Sequence, residues 1–115
     1  MADRVVRVKD GVQFSIIAPA GFRILEAISK TARSIGIDLT ITSACDGMHS
    51  GPNDPHHRGE AYDVRTHDMD PAMKPVVLNA LQALLPATQF YVFIEAPDTA
   101  NEHIHAQIKK GTTYP

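Results

Sequence analysis

Residues 103–109, His-Ile-His-Ala-Gln-Ile-Lys, are the stretch that decides most about the fold of this 115-residue chain. Apolar and polar side chains alternate along it without a break, which predicts a β-strand with one buried and one open face. The two isoleucines and the alanine occupy the buried face, so His103 and His105 lie together on the other. The strand therefore predicts a polar sheet face that carries two imidazoles.

Alternation of this kind, and the 3.6-residue spacing of apolar side chains, assign the other elements. Gly36 follows the apolar stripe of a first helix, where a left-handed residue ends the helix. Asp70 and Pro71 are an N-cap and a first-turn residue for a second helix that ends near Pro86. The predicted strands are Val5–Val8, Val12–Ile17, Asp38–Ser43, Tyr62–Thr66, Gln89–Glu95 and His103–Lys109, and the first helix runs from about 20 to 35.

The element order is therefore ββαβ, a long loop, and βαββ. Short connections late in the chain favour an α+β fold in which two helices pack on a mainly antiparallel sheet. With 115 residues the chain is long enough for one modest core. We therefore expect a single domain over 1–115.

The composition is that of an ordinary globular protein and excludes several classes of function. Apolar residues make up 43% of the chain, charged residues 21%, and 11 basic against 13 acidic residues give a net charge of −2. Without a clustered basic face, we expect no nucleic-acid partner. No apolar run is long enough for a signal peptide or a membrane span, so we expect neither export signal nor membrane insertion. The single cysteine, Cys45, excludes an internal disulfide.

The segment 44–60 is rich in Gly, Pro, Asp, Asn and His and has no periodicity. A loop of this length inside a small domain indicates a functional role. His56 lies in the loop, seven positions before Asp63 on the next predicted strand. Gly59 between them permits a sharp turn, so we expect His56 to fold back beside Asp63.

The side chains of His56, Asp63 and His105 are a set of three zinc ligands that leaves a fourth position for water. Glu102, three positions before His105, is the type of residue that accepts a proton from such a water. The odd offset places Glu102 on the opposite strand face, unless it lies in the preceding turn or on a bulge. The alternative interpretation is a solvated strand face with two incidental histidines.

The combination of the two segments resembles a known family of enzymes. It is similar to the zinc D-alanyl-D-alanine carboxypeptidases and dipeptidases of the hedgehog/DD-peptidase superfamily, a group that includes phage endolysins cutting L-alanyl-D-glutamate bonds. The resemblance covers roughly residues 20 to 110 and implies the fold of that superfamily. The residues that carry it are His56-x-x-Gly59-x-Ala61-x-Asp63 and Glu102-x-x-His105.

The resemblance implies a role for each residue of the pattern. His56, Asp63 and His105 would be the zinc ligands. Glu102 would be the general base that later protonates the leaving amine, and His103 would flank the site and bind substrate or the oxyanion. The implied reaction is hydrolysis of amide bonds in peptidoglycan-derived peptides, D-Ala-D-Ala or related. The implied location is the cytoplasm, or outside the cell after release as a phage-type lysin.

The chain departs from the family pattern at two positions. Asp46 stands where relatives carry an arginine that meets a substrate carboxylate or the oxyanion, and Asp54 replaces the serine two places before the first ligand. Arg58 or Arg65 could take over the role of the missing arginine. The departure favours an endopeptidase, or a changed substrate, over a strict carboxypeptidase.

Three alternatives involve other residues or another function. Asp46, Asp54 or Ser50 could hold the second nitrogen of each imidazole ligand. Cys45 and His49 could form a different metal site within the loop, although Cys45 is more typical of a small buried hydrophobe at a strand end. The missing arginine also permits a non-catalytic module that keeps the fold and binds zinc or the cell wall.

Overall fold

The computed structural model describes residues 4–45, 55–56 and 58–112. Their elements, in chain order, are β1 (Val6–Val8), α1 (Pro19–Ile35), β2 (Leu39–Ser43), β3 (Ala61–Arg65), α2 (Lys74–Leu84), β4 (Phe90–Glu95) and β5 (His103–Ile108). The strands form a sheet of order β1-β2-β3-β5-β4, in which β1 and β2 are parallel and the other neighbouring pairs are antiparallel. The predicted α+β class is confirmed. The hedgehog/DD-peptidase-like arrangement stays a prediction.

The segment 12–17 is not the strand that alternation predicted. It belongs to none of the strands in the described part of the chain; the carbonyl of Gln13 accepts the backbone N–H of Cys45 at 2.7 Å. The ring of Phe14 stacks on that of Tyr62 with centroids 5.8 Å apart. The physical reason is the parallel pairing of β1 with β2, which needs a crossover through α1. The segment serves as the connection into that crossover rather than as a hairpin partner of β1.

Helix α1 matches the sequence-based expectation closely. It begins at Pro19, whose fixed φ suits a first helical turn. It ends at Gly36, which has φ +84° and donates its backbone N–H to the carbonyl of Ala32 at 2.9 Å. The left-handed residue predicted at the end of this helix is therefore present.

Helix α2 begins at Lys74, later than the predicted start at Asp70-Pro71. Asp70 Oδ1 accepts the backbone N–H of Ala72 at 2.9 Å. Such a side-chain turn competes with helical hydrogen bonding, so 71–73 form a separate turn before the helix. Because the helix begins at Lys74, this side chain lies in the first turn of α2, where it contacts Glu102 just before β5.

The sheet has one helix-covered face and one helix-free face. Side chains of α1 and α2 pack with the inward residues of the strands into one apolar cluster. Alternation along β3 and β5 turns Asp63, His105 and Gln107 away from this cluster. In the described ranges, neither helix is long and apolar enough to cross a bilayer. The largest fully buried apolar side chains are Tyr62, Ile24, Ile28, Leu39, Ile41, Leu81, Leu85 and Ile104.

Gly21 in α1 packs directly on the turn that precedes β3. A Cβ at this position would collide with the carbonyl oxygen of Gly59 and lie 2.9 Å from the hydroxyl oxygen of Tyr62. Alanine normally stabilises a helix interior by about 1 kcal/mol relative to glycine. We expect Gly21→Ala to lower the free energy of unfolding by about 1–3 kcal/mol, because backbone atoms must shift. Urea denaturation measures this.

The matched control for this prediction is Ser34→Ala on the exposed side of the same helix. Its effect on the free energy of unfolding should stay within about 0.5 kcal/mol. A Gly21→Ala variant as stable as the wild type would show that α1 and the turn at Gly59 do not pack this closely.

Candidate metal centre

Three of the residues singled out in the sequence meet on the helix-free face. One ligand atom each from His56, Asp63 and His105 lies within 4.8 Å of the others. Asp63 Oδ1 is 2.9 Å from His105 Nδ1 and 3.4 Å from His56 Nε2. All three residues are buried, with at most 7% of the surface of each exposed. This group could hold a metal ion.

The antiparallel pairing of β3 with β5 positions two of the three side chains. Asp63 and His105 are directly opposite each other in this register, so their side chains project from the same face at close range. His56 comes from the loop before β3. Its backbone carbonyl accepts the N–H of Gly59 at 3.1 Å, and Gly59 has the left-handed φ of +71°. The sharp turn predicted at this glycine is therefore present.

Glycine is required at position 59 for a second reason. A Cβ there would collide with the backbone carbonyl of Ile16. The carbonyl of Gly59 itself accepts the backbone N–H of Ala18 at 3.1 Å. The turn that returns His56 to the sheet is thus fastened to the chain just before α1.

A second contact orients each imidazole of the cluster. His56 Nδ1 lies 3.0 Å from the carbonyl oxygen of Ala44. A carbonyl only accepts, so Nδ1 donates to it and Nε2 is the ring nitrogen that faces Asp63. His105 Nε2 lies 2.6 Å from Gln107 Oε1, which holds the ring with Nδ1 towards the same carboxylate. Metal-binding histidines are typically held by such a contact at the other ring nitrogen.

His103 and Glu95 lie beside this cluster. His103 Nε2 is 3.1 Å from Glu95 Oε1 and 3.6 Å from Asp63 Oδ2. His103 Nδ1 donates to the carbonyl of Asn101 at 2.6 Å. Glu95 Oε1 is also 3.3 Å from His105 Nδ1. Two carboxylates and three imidazoles therefore converge on one patch of the helix-free face.

Glu95 is the member of this patch that sequence analysis missed. It pairs in register with His103 at the start of the β4–β5 hairpin. Alternation along the predicted strand Gln89–Glu95 already places Glu95 with Tyr91 and Phe93 on the polar side. The signal that could have identified it is the short connection between two adjacent strands, which predicts antiparallel pairing and hence a carboxylate opposite His103.

The electrostatics of the cluster favour a bound cation. Burial alone would raise the pKa of Asp63, but hydrogen bonds from His105 and His56 hold that pKa well below its usual range. Burial is the largest single influence on the pKa of His105 and works to lower it, but the hydrogen bonds to Asp63 and Gln107 and the charges of Asp63 and Glu95 together outweigh it, so the pKa is raised. The carboxylate thus stays ionised and draws positive charge to the imidazoles, as protons or as a metal ion.

Glu102 lies on the other face of the sheet. The backbone N–H of Thr66 donates to the carbonyl of Glu102 at 3.3 Å, so the strand ladder extends to this residue without a bulge. Glu102 Oε1 accepts from Thr66 Oγ1 at 2.7 Å and from Lys74 Nζ at 2.8 Å. Its Oε2 accepts the backbone N–H of Asp98 at 2.9 Å. The opposite-face placement predicted for a regular strand is what is observed.

The role of Glu102 as general base stays a prediction, with this geometry against it. The carboxylate is only 3% exposed and belongs to neither group of candidate ligands among the described residues. Its contacts instead tie the start of α2 to the start of β5 through Lys74. Glu102 is therefore a structural anchor in the described structure.

The two candidate arginines occupy different surroundings. Arg58 Nε donates to Glu60 Oε1 at 2.8 Å in the turn before β3. Arg65 lies two residues after Asp63 on β3 and pairs in register with His103. Its nearest carboxylate contact is Asp68 Oδ2 at 3.8 Å. Arg65 therefore shares the face of the metal centre.

Cys45 is a buried small residue, as one interpretation of the sequence predicted. Its Sγ–H donates to the carbonyl of Ile16 at 3.3 Å. Among the described residues, the carbonyl of Ala44 and the side chain of Gln107 contact the outer nitrogens of the two candidate ligand rings. The other loop residues considered as ligands or supports, Asp46, His49, Ser50 and Asp54, lie outside the described residues.

No protein family, curated protein or solved structure matches this chain. The chemistry available to it follows from its own side chains. Two nitrogen donors and one oxygen donor suit a divalent transition metal better than the all-oxygen sites of calcium or magnesium. Three protein ligands leave room for water in the coordination sphere of such an ion.

We expect the folded protein to bind one divalent transition-metal ion tightly at this centre. His56→Ala and His105→Ala should each remove tight binding, because each deletes one of three ligands. His67→Ala, at an exposed loop histidine, is the matched control and should bind like the wild type. Metal content after dialysis, measured by mass spectrometry, reports the result. Equal metal content in all four proteins would contradict the site.

The affinity for metal should also depend on pH. Protons compete with the ion for His105, and its pKa is raised above the model-compound value of 6.5. Binding should therefore weaken as the pH falls from about 7.5 to 5.5. Isothermal titration at several pH values measures this. An affinity that does not change across that range would contradict ligation by imidazole.

The anchoring role of Glu102 predicts a specific acid response. Donation from the backbone N–H of Asp98, from Lys74 and from Thr66 lowers the pKa of Glu102 from 4.5 to about 2. A lowered carboxyl pKa stabilises the fold above the unfolded-state pKa, and this stabilisation is lost as pH falls from about 4.5 towards 2. Glu102→Gln should therefore be less stable at pH 7 and lose less stability on acidification.

Urea denaturation at pH 7 and at pH 3 tests this, with Glu26→Gln as the control. Glu26 pairs with Lys30 on the exposed surface of α1, where a single ion pair contributes little. A Glu102→Gln variant as stable as the wild type at pH 7 would contradict the anchoring role.

Proposed function

We propose that this chain is a zinc-dependent hydrolase that cleaves amide bonds in peptides, with His56, Asp63 and His105 as the zinc ligands. The single observation that carries the proposal is the convergence of the three donor atoms within 4.8 Å. Two imidazoles and one carboxylate are a donor set found in catalytic zinc sites. Zinc held there supplies a water of lowered pKa, about 7, and a charge that polarises the scissile carbonyl.

His103 is the proton acceptor that the geometry supports best. Its Nδ1–H is committed to the carbonyl of Asn101, so Nε2 is the ring nitrogen that faces the metal centre and Glu95. The side chain is 22% exposed, which allows water and substrate to reach it. Nε2 would take a proton from the attacking water and later return it to the leaving amine.

Glu95 supports His103 in this role. Its Oε1 lies 3.1 Å from His103 Nε2, where a carboxylate stabilises the imidazolium that forms when the proton is taken. Glu102, by contrast, has its oxygens engaged by Thr66, Lys74 and Asp98 on the opposite face. We therefore assign the base to the histidine that follows Glu102 rather than to Glu102 itself.

The substrate class is proposed from the motif resemblance to the D-alanyl-D-alanine peptidases. Peptidoglycan-type peptides end in a carboxylate, which calls for a cation near the centre. Arg65 lines a cavity of about 90 Å³ together with Lys9, Thr42, His67, Ala100, Asn101 and Glu102. Arg65 is the better substitute for the family's arginine, because Arg58 is already paired with Glu60 at 2.8 Å.

A non-catalytic zinc-binding or cell-wall-binding module is the second candidate. The observation that favours it is the engagement of Glu102 away from the metal centre. The two candidates make opposite predictions for a protein loaded with zinc. The hydrolase turns over peptides, whereas the module binds them unchanged.

The test is turnover of D-Ala-D-Ala dipeptides and muropeptides by zinc-loaded protein. We expect His103→Ala to lower kcat by about 10²–10⁴-fold while retaining zinc, since general-base catalysis contributes on that scale. Glu102→Gln should retain most of the kcat at a temperature where it is folded. His67→Ala serves as the control with unchanged turnover.

The outcomes separate the assignments cleanly. Loss of turnover in folded Glu102→Gln, with His103→Ala active, would return the base to Glu102. Stoichiometric zinc without cleavage of any peptide in the panel would favour the binding module. Absence of zinc from the native protein would exclude the hydrolase and the zinc-binding form of the module.

A further inference from the structure

The donors around His103 form a second group with metal-binding geometry. One ligand atom each from Asp63, Glu95 and His103 lies within 4.8 Å of the others. We propose that these three residues are a second divalent-cation site, and that its occupation inhibits the enzyme by engaging the proton acceptor. The inhibitory part rests on the proposed function, whereas the binding site itself does not.

The separations between the donor atoms fit a single ion. His103 Nε2 lies 3.1 Å from Glu95 Oε1 and 3.6 Å from Asp63 Oδ2. Ligand atoms bound to zinc at about 2.0–2.2 Å stand roughly 3.0–3.6 Å from one another in tetrahedral or octahedral geometry. Two of the three separations therefore already match a shared cation, and the third, between Glu95 and Asp63, is at most 4.8 Å.

Asp63 offers a different oxygen to each site. Its Oδ1 faces His105 and His56, whereas its Oδ2 faces His103. One carboxylate that binds through both oxygens bridges two ions, an arrangement found in hydrolytic centres with ions about 3.5–4 Å apart. Glu95 Oε1, 3.3 Å from His105 Nδ1, also lies between the two groups.

The protonation pattern of His103 requires positive charge at this position. Donation of Nδ1–H to the carbonyl of Asn101 at 2.6 Å leaves a lone pair on Nε2. This lone pair faces the carboxylates of Asp63 and Glu95, which is repulsive unless a proton or a cation lies between them. His103 thus has the same orienting contact, a backbone carbonyl at Nδ1, that His56 has at the first site.

The second site should bind more weakly than the first. It has one imidazole rather than two, and its side chains are more exposed, 44% for Glu95 and 22% for His103. The first ion also repels the second across the shared Asp63. Zinc should therefore fill the buried site first and the outer site only at higher concentration.

Occupation of the outer site has a direct consequence for catalysis. A cation on His103 Nε2 takes the lone pair that would accept the proton of water, and it takes Glu95 as well. Activity should rise with the first equivalent of zinc and fall with excess zinc. The protein would in this way respond to the concentration of free zinc.

The experiment is isothermal titration of metal-free protein with zinc, repeated with Glu95→Ala. The wild type should show two sites, and Glu95→Ala should weaken the second by at least about tenfold while leaving the first unchanged. Glu60→Gln, at a carboxylate paired with Arg58, is the matched control and should titrate like the wild type. His56→Ala should lose the tighter site and retain the weaker one.

The outcomes distinguish this proposal from the proposed function. Saturation of the wild type at one equivalent, or an unchanged second site in Glu95→Ala, would overturn the second site whatever the turnover. Two sites without any turnover would keep the site but overturn its inhibitory part together with the proposed function. Turnover that excess zinc inhibits in the wild type, and inhibits less in Glu95→Gln relative to that variant's own lower turnover with one equivalent of zinc, would support the whole proposal.

Discussion

The pairing of Asp63 with His105 across β3 and β5 is the constraint on which the sheet and the site both depend. The two residues are directly opposite in the register, and their side chains meet at 2.9 Å. A shift of β3 and β5 by one residue would turn Asp63 and His105 towards the helices and expose Val64 and Ile104. Burial of those apolar neighbours therefore holds the two ligands in position. The core and the metal centre are two consequences of one register.

Strand β5 and the residue before it show how closely the two faces are coupled. Glu102 points to the helices and anchors Lys74 at the start of α2, whereas His103 points to the metal centre. Of these two neighbouring residues, Glu102 thus contributes to stability and His103 to the proposed chemistry. A histidine next to an anchored glutamate is held in place more firmly than one at a free strand end, because the backbone before it is fixed. In the proposed enzyme this anchoring orients the base.

Most of the strands and the three candidate ligands were predictable because they depend on local alternation and on motif spacing. His56, Asp63 and His105 could be named from the sequence for this reason. Glu95 was not named with them, because its place opposite His103 depends on the pairing of β4 with β5, which only the short connection between the two strands indicates. The segment 12–17 alternates like a strand but belongs to none of the strands in the described residues, because β1 pairs with β2 in parallel. Pairing is a long-range property that alternation does not encode.

The central claim is that the buried imidazole–carboxylate–imidazole cluster holds one transition-metal ion. A crystal structure of the protein grown with one equivalent of zinc, with anomalous data collected at the zinc absorption edge, tests it most directly. The account predicts an anomalous peak about 2.0–2.2 Å from His56 Nε2, Asp63 Oδ1 and His105 Nδ1. A zinc-loaded crystal with its peak elsewhere, or with none between these three atoms, would contradict it.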